Sequence, residues 1–147
     1  MRGTRAIGVL LLAACGGGAM AGGSGMGPLP SIEELQAVER WQVVQLPGVS
    51  VLPETEPPTL QFEANGRASG RSGCNQFGGG FERTAESLTF SQLISTKMAC
   101  PGNRMDVEAA YLGALQATRS ATLSDGALSL LAEDGSLLAR LVPAGGT

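Results

Sequence analysis

The chain has 147 residues but no histidine, one lysine (Lys97), one tryptophan and one tyrosine. Without histidine there is no imidazole to activate a serine or cysteine, and the commonest zinc ligand is missing. A serine–lysine pair would have to use Lys97. In "STKMAC" its neighbours Ser95 and Thr96 lie on extended chain, where adjacent side chains point to opposite faces. A phosphate-binding loop needs Lys and Ser/Thr after its last glycine, but Gly79 and Gly80 occupy those places after Gly73 to Gly78. Cys74 and Cys100 fall short of a four-ligand zinc site. The expectation is no catalytic residue, no metal, no cofactor and no enzyme.

What is present begins with a leader. "MRGTRAIGVLLLAAC" has Arg2 and Arg5, an apolar run from Ala6 to Ala14, then Cys15, the layout of a secretory signal. The run has nine residues, and a membrane-crossing helix needs about 20. Leu12-Ala13-Ala14-Cys15 resembles the bacterial lipobox, in which the cut precedes a cysteine that then carries acyl chains. The alternative is an ordinary secretory signal with an incidental Cys15. Gly16, not aspartate, follows, which points to the outer membrane, on its periplasmic face or surface. Removing residues 1–14 leaves eight basic against thirteen acidic residues, a net charge of −5. Such a balance offers no basic stripe for nucleic acid.

Cys74 and Cys100 then remain as an even pair in an exported chain, which predicts a disulfide. Two separate buried thiols are the alternative. The bridge would stabilise the fold by roughly 3–4 kcal/mol in the chain-entropy model.

Three segments follow: a signal over 1–14, a lipidated Gly-rich tether and lead-in over 15–39, and a domain over 40–143. Ser31 with Glu34 suggests a short capped helix in the lead-in. Period-two patterning gives strands at "RWQVVQL" and "TLQFEA", a turn at Asn65-Gly66, and a return strand in "RASGRSG", whose small residues allow close backbone approach. "SGCNQFGGGF" is expected as a loop, followed by strands at "GFER" and "SLTFSQL". Val107, Tyr111, Ala114, Leu115 and Thr118 recur at helical spacing over 103–119, with Asn103 or a neighbour as cap. Three strands close the chain, turning at Asp125-Gly126 and Asp134-Gly135. The sum is a mainly β (α+β) fold: a small antiparallel, barrel-like curved sheet of seven or eight strands with one helix across an open side.

Within the glycine-rich stretch, Gly73 and Asn75 are expected to form a structural turn, with Asn75 satisfying backbone groups and Phe77 and Phe81 buried on either side. Tyr111 should pack the helix on the sheet with its hydroxyl at a polar edge, while Glu108 faces water or caps; the alternative is that Glu108, Tyr111 and Leu112 form a binding face. Met98 and Met105 are expected to fill the core, the alternative being an adaptable apolar surface.

These elements are similar to the META domain, the HslJ-like bacterial lipoproteins, from about Trp41 to Val142. The resemblance rests on "SGRSGCNQFGGGF" and "LTFSQLISTKMACPG", with Gly73-Cys74-Asn75, Thr96-Lys97-Met98-Ala99-Cys100, and Glu108 ahead of Tyr111-Leu112. It implies a small antiparallel sheet with one helix, and a link to heat shock, envelope integrity and tolerance of novobiocin. It brings no catalytic residue or substrate. The expected function is that of a non-enzymatic, monomeric envelope protein, anchored to the membrane through Cys15 and acting on an envelope protein partner. The alternative is a small barrel carrying an apolar ligand.

Overall fold

A computed structural model describes residues 27–51 and 56–145. The leader, Cys15 and most of the tether lie outside the described residues, as do residues 52–55 of the proline-containing loop.

Helix α1 (Ile32–Ala37) comes first. Ser31 Oγ accepts from the Glu34 amide at 3.1 Å, and the Glu34 carboxylate accepts from the Ser31 amide at 2.8 Å. This reciprocal cap starts a helix too short to hold itself. Docking does the rest: Leu35 is fully buried, its carbonyl accepts from Trp41 Nε1 at 3.0 Å, and Arg83 donates to the carbonyls of Leu29 and Pro30. Burying a leucine contributes about 2 kcal/mol.

Five strands then meander: β1 (Trp41–Gln45), β2 (Thr59–Phe62), β3 (Arg67–Arg71), β4 (Gln76–Arg83) and β5 (Leu88–Ser95). Helix α2 (Arg104–Ala117) carries the chain to β6 (Ser120–Ser124), β7 (Ala127–Leu131) and β8 (Leu137–Pro143). All pairings are antiparallel. The order is β5-β4-β3-β2-β1-β8-β7-β6, so β1 and β8 join the two meanders. The outer strands β5 and β6 curl towards each other and touch where the Leu88 amide donates to the Arg119 carbonyl at 2.9 Å. α2 covers what this partial closure leaves open. The architecture is the expected one: a curled eight-stranded half-barrel, mainly β, with one principal helix against it.

The turns follow their residues. Asn65 (φ 67°) with Gly66 (φ 73°), and Asp125 (φ 53°) with Gly126 (φ 78°), hold the left-handed backbone that tight hairpins need. Alternation places Trp41, Val43, Leu60, Phe62, Phe81 and Phe90 inside. Phe62 meets Phe81 edge-on at 5.1 Å, and Phe77 meets Tyr111 likewise at 5.7 Å, the arrangement ring quadrupoles favour.

One expectation about the strands fails. Gln76 to Gly79 are not loop: β4 begins there and runs on through the expected "GFER" strand. Gly78 pairs with Ile94 and Gly80 with Ser91, so two residues of β5 oppose Gly79 alone. Gln92 in this bulge has φ 53°. The bulge presses β5 onto β4, and a Cβ on Gly79 would lie 2.7 Å from the Ser91 carbonyl oxygen. A glycine run that looks like a loop is here what lets two backbones close. At Gly78 the nearest obstacle is only the Arg67 guanidinium, 3.3 Å away. Gly79→Ala should therefore lower stability by about 1–3 kcal/mol, and Gly78→Ala by less than about 0.5 kcal/mol. Urea unfolding midpoints of the two variants check this contrast.

Candidate functional site

The turn between β3 and β4 meets the first turns of α2 at a buried polar corner. Gly73 has φ 132°, and a Cβ there would lie 2.8 Å from the Arg104 carbonyl oxygen and 3.0 Å from the Glu108 nitrogen. The missing side chain is what lets turn and helix touch. Cys74 and Cys100 are joined, with Cα atoms 5.9 Å apart. The bond ties the turn to the segment entering α2.

Asn75 is 1% exposed and fully bonded. Its Oδ1 accepts from the Met98 amide (2.7 Å) and the Thr96 hydroxyl (2.9 Å). Its Nδ2 donates to the Met98 carbonyl (3.1 Å) and to Glu108 Oε2 (2.9 Å). The Met98 peptide, which supplies one donor and one acceptor, settles which way the amide points. The side chain thus pairs with that peptide as a strand residue would.

Glu108 corrects the sequence reading. It neither faces water nor caps: it is 7% exposed. Its Oε1 accepts from the Ser72 hydroxyl at 2.7 Å and from the Asn75 amide at 2.8 Å. Burial alone would raise its carboxyl, but the bonds from Ser72, Asn75 and the Cys74 backbone outweigh it and hold the group below its ordinary range. The turn is an anion-binding nest filled by the protein's own carboxylate.

Tyr111, fully buried, donates its hydroxyl to the Thr59 carbonyl at 2.9 Å, and burial pushes that phenol far up. The methionines do not fill the core. Met98 is 56% exposed because its backbone faces Asn75 and its side chain points away. Met105 lies off the face of α2 that carries Val107, Tyr111 and Leu115, and is 37% exposed. Asn103 makes no side-chain cap; its Nδ2 donates to the Ser50 carbonyl at 3.1 Å. Lys97 is exposed. Among the described residues no three His, Cys, Asp or Glu side chains gather where they could hold a metal ion.

The corner's reactive groups are spent on each other. A recessed surface lies elsewhere, on the outer face of the central strands. Gln42 of β1, Thr59 and Gln61 of β2, Ser69 and Arg71 of β3 and Gln76 of β4 line a cleft of about 560 Å³, with Arg40, Glu56 and Ala144 also on its walls. Arg71 pairs with Glu56 at 2.8 Å. Sequence patterning missed this cleft. Its signal is a row of outward-phase polar residues on neighbouring strands, visible only once the pairing is known.

Glu108 also sets a pH dependence. Its folded pKa is lowered, so the stability it contributes is complete above the unfolded value of about 4.3 and is lost as pH falls through the folded value. Glu108→Gln puts an amide where the nest needs an acceptor. It should cost about 2–3 kcal/mol at pH 7 and flatten the acid limb of stability against pH. Asp134, lowered by its bonds from Ser136, contributes equally to both proteins and cancels. Urea titrations between neutral and acid pH give the measurement.

Comparison with curated proteins gives no match. A protein from Burkholderia xenovorans solved by NMR has a similar structure, with a TM-score of 0.62 at 23% identity over 82% of this chain and 92% of that one. A second NMR structure gives a TM-score of 0.62 at 24% identity, covering 79% of this chain and 97% of the other. A DUF4847 family protein from Bacteroides vulgatus, known from a crystal structure, has a TM-score of 0.58 at 14% identity over 80% of this chain and all of its own. These likenesses establish the fold alone. The META domain family, by contrast, matches residues 33–144 in sequence, and with that span covering most of its length the chain belongs to the META domain family.

Proposed function

We propose that the chain is a non-enzymatic, lipid-anchored protein of the bacterial cell envelope, probing or holding a partner through the cleft on its outer face and supporting envelope maintenance under stress or antibiotic challenge. The observation that carries this reading is the division of labour between the two polar sites. The buried corner uses its sulfurs, carboxylate and amide on one another. The cleft leaves guanidinium, amide and hydroxyl groups facing outward over a volume of ligand size.

The lipid anchor rests on the leader: a basic start, a short apolar run, and Cys15 after Leu12-Ala13-Ala14. Acyl chains on that cysteine would hold the protein to the outer membrane. The family resemblance supplies the link to envelope stress. The carrier alternative gains no support from the packing, because Trp41, Leu60, Leu115, Tyr111 and Leu128 fill the half-barrel where an apolar ligand would sit.

Two outcomes are expected. Cys15→Ser should abolish incorporation of labelled palmitate and move the protein out of the membrane fraction; retention in that fraction without label would refute the anchor. A photoreactive residue in place of Gln61, in intact cells, should give a discrete adduct that the same residue at exposed Glu133 does not. Identical patterns from both positions, or none from position 61, would refute the cleft as the working surface.

A further inference from the structure

We propose that the outer cleft recognises an anionic, hydroxyl-rich ligand: a saccharide carrying a carboxylate or a phosphate. This deepens the partner-binding reading and rests on the cleft being a working surface.

Charge comes first. The chain as a whole is acidic, with a net charge of −3. Among the described residues the cleft is lined by two guanidinium groups, Arg40 and Arg71, against one carboxylate, Glu56. The Arg71–Glu56 pair is solvent-exposed, with side chains 44% and 71% accessible. Exposed pairs contribute little, so Arg71 can turn its fork to an incoming anion at small cost. Guanidinium suits carboxylate and phosphate because it offers two parallel donors. Arg40 makes no ion pair among the described residues.

The rest of the lining is neutral and polar. Gln42, Gln61 and Gln76 each offer a donor and an acceptor, and Ser69 adds a hydroxyl. Such groups match ligand hydroxyls, which also donate and accept. Gln42 and Gln76 make no side-chain hydrogen bond among the described residues, whereas Gln61 spends one donor on the Glu39 carbonyl at 3.2 Å.

Two features exclude other ligands. β1, β2, β3 and β4 each have a strand on both sides. A peptide therefore finds no free ladder edge to extend here. Neutral sugars are ordinarily held by an aromatic face, yet Phe77, the aromatic ring lining this cleft, is only 5% exposed. Recognition must then come from charge and hydrogen bonds together, which selects a sugar acid or sugar phosphate.

The test is an NMR titration of the full chain, isotopically labelled and with its disulfide intact. The probes are a uronic acid trisaccharide, glucose 1-phosphate, neutral maltotriose and triglutamate. The trisaccharide acid or the sugar phosphate should shift the amide signals of Gln42, Gln61, Ser69 and Arg71, and whichever binds more tightly identifies the anionic group. Its Kd should be about tenfold lower than those of maltotriose and triglutamate. Arg40→Gln and Arg71→Gln, with the remaining spectrum unchanged, should each weaken it about fivefold or more. Equal binding of maltotriose, equal binding of triglutamate, shifts confined to other surfaces, or silence with all four probes would overturn the proposal. If a cleft adduct forms in cells while the saccharides leave the cleft silent, the sugar chemistry falls and the partner surface stands. Saccharide binding with no cellular adduct would give the reverse.

Discussion

The structure turns on one carboxylate placed where water cannot reach it well. Glu108 sits in the second turn of α2, and its oxygens take donors from Ser72 and from both the backbone and the side chain of Asn75. An uncompensated charge there would be costly to bury. With its donors in place it fixes the distance and rotation of the helix against the β3–β4 turn. Gly73 makes the approach possible, Asn75 passes the constraint on to Met98, and the Cys74–Cys100 bond closes the same corner covalently. The fold therefore holds this junction by two independent means, one electrostatic and one covalent.

Why the junction must be strong follows from the sheet. Eight strands that curl without zipping shut leave two edges, and among the described residues β5 meets the chain ahead of β6 through one backbone hydrogen bond. α2 bridges the gap by burying Val107, Tyr111, Ala114 and Leu115 against the interior. It needs an anchor at the end where it enters, and the corner supplies it. At its far end, Arg119 donates to the carbonyls of Gln116 and Thr118, a favourable placement for a cation at a helix C-terminus.

Much of this was legible in the residues. Leu60 with Phe62 and Leu88 with Phe90 mark an inward phase that period-two reading finds directly, and Asn65-Gly66 and Asp125-Gly126 announce their turns. Ser31 and Glu34 spell out the reciprocal cap. The misreadings have a common origin, because each depended on a contact distant in sequence. Three consecutive glycines look like a loop until a bulged neighbour requires bare backbone. A glutamate on a helix looks solvated until a turn 33 residues earlier offers it donors. Met98 looks like core until its peptide is claimed by Asn75. The cleft is the extreme case, since its walls come from four strands and no local pattern gathers them.

The pairing of β1 with β8 brings Trp41 opposite Pro143, and the Ala144 amide donates to the Arg40 carbonyl at 2.8 Å. The entering chain at Leu29 and Pro30 is clasped by Arg83, at the end of β4. Entry and exit of the domain thus lie side by side, and Arg40 and Ala144 wall the same cleft as Arg71 and Gln76. A domain held by either terminus therefore keeps that cleft next to its own point of attachment. A cargo fused to the C-terminal end would crowd the cleft's mouth at Ala144.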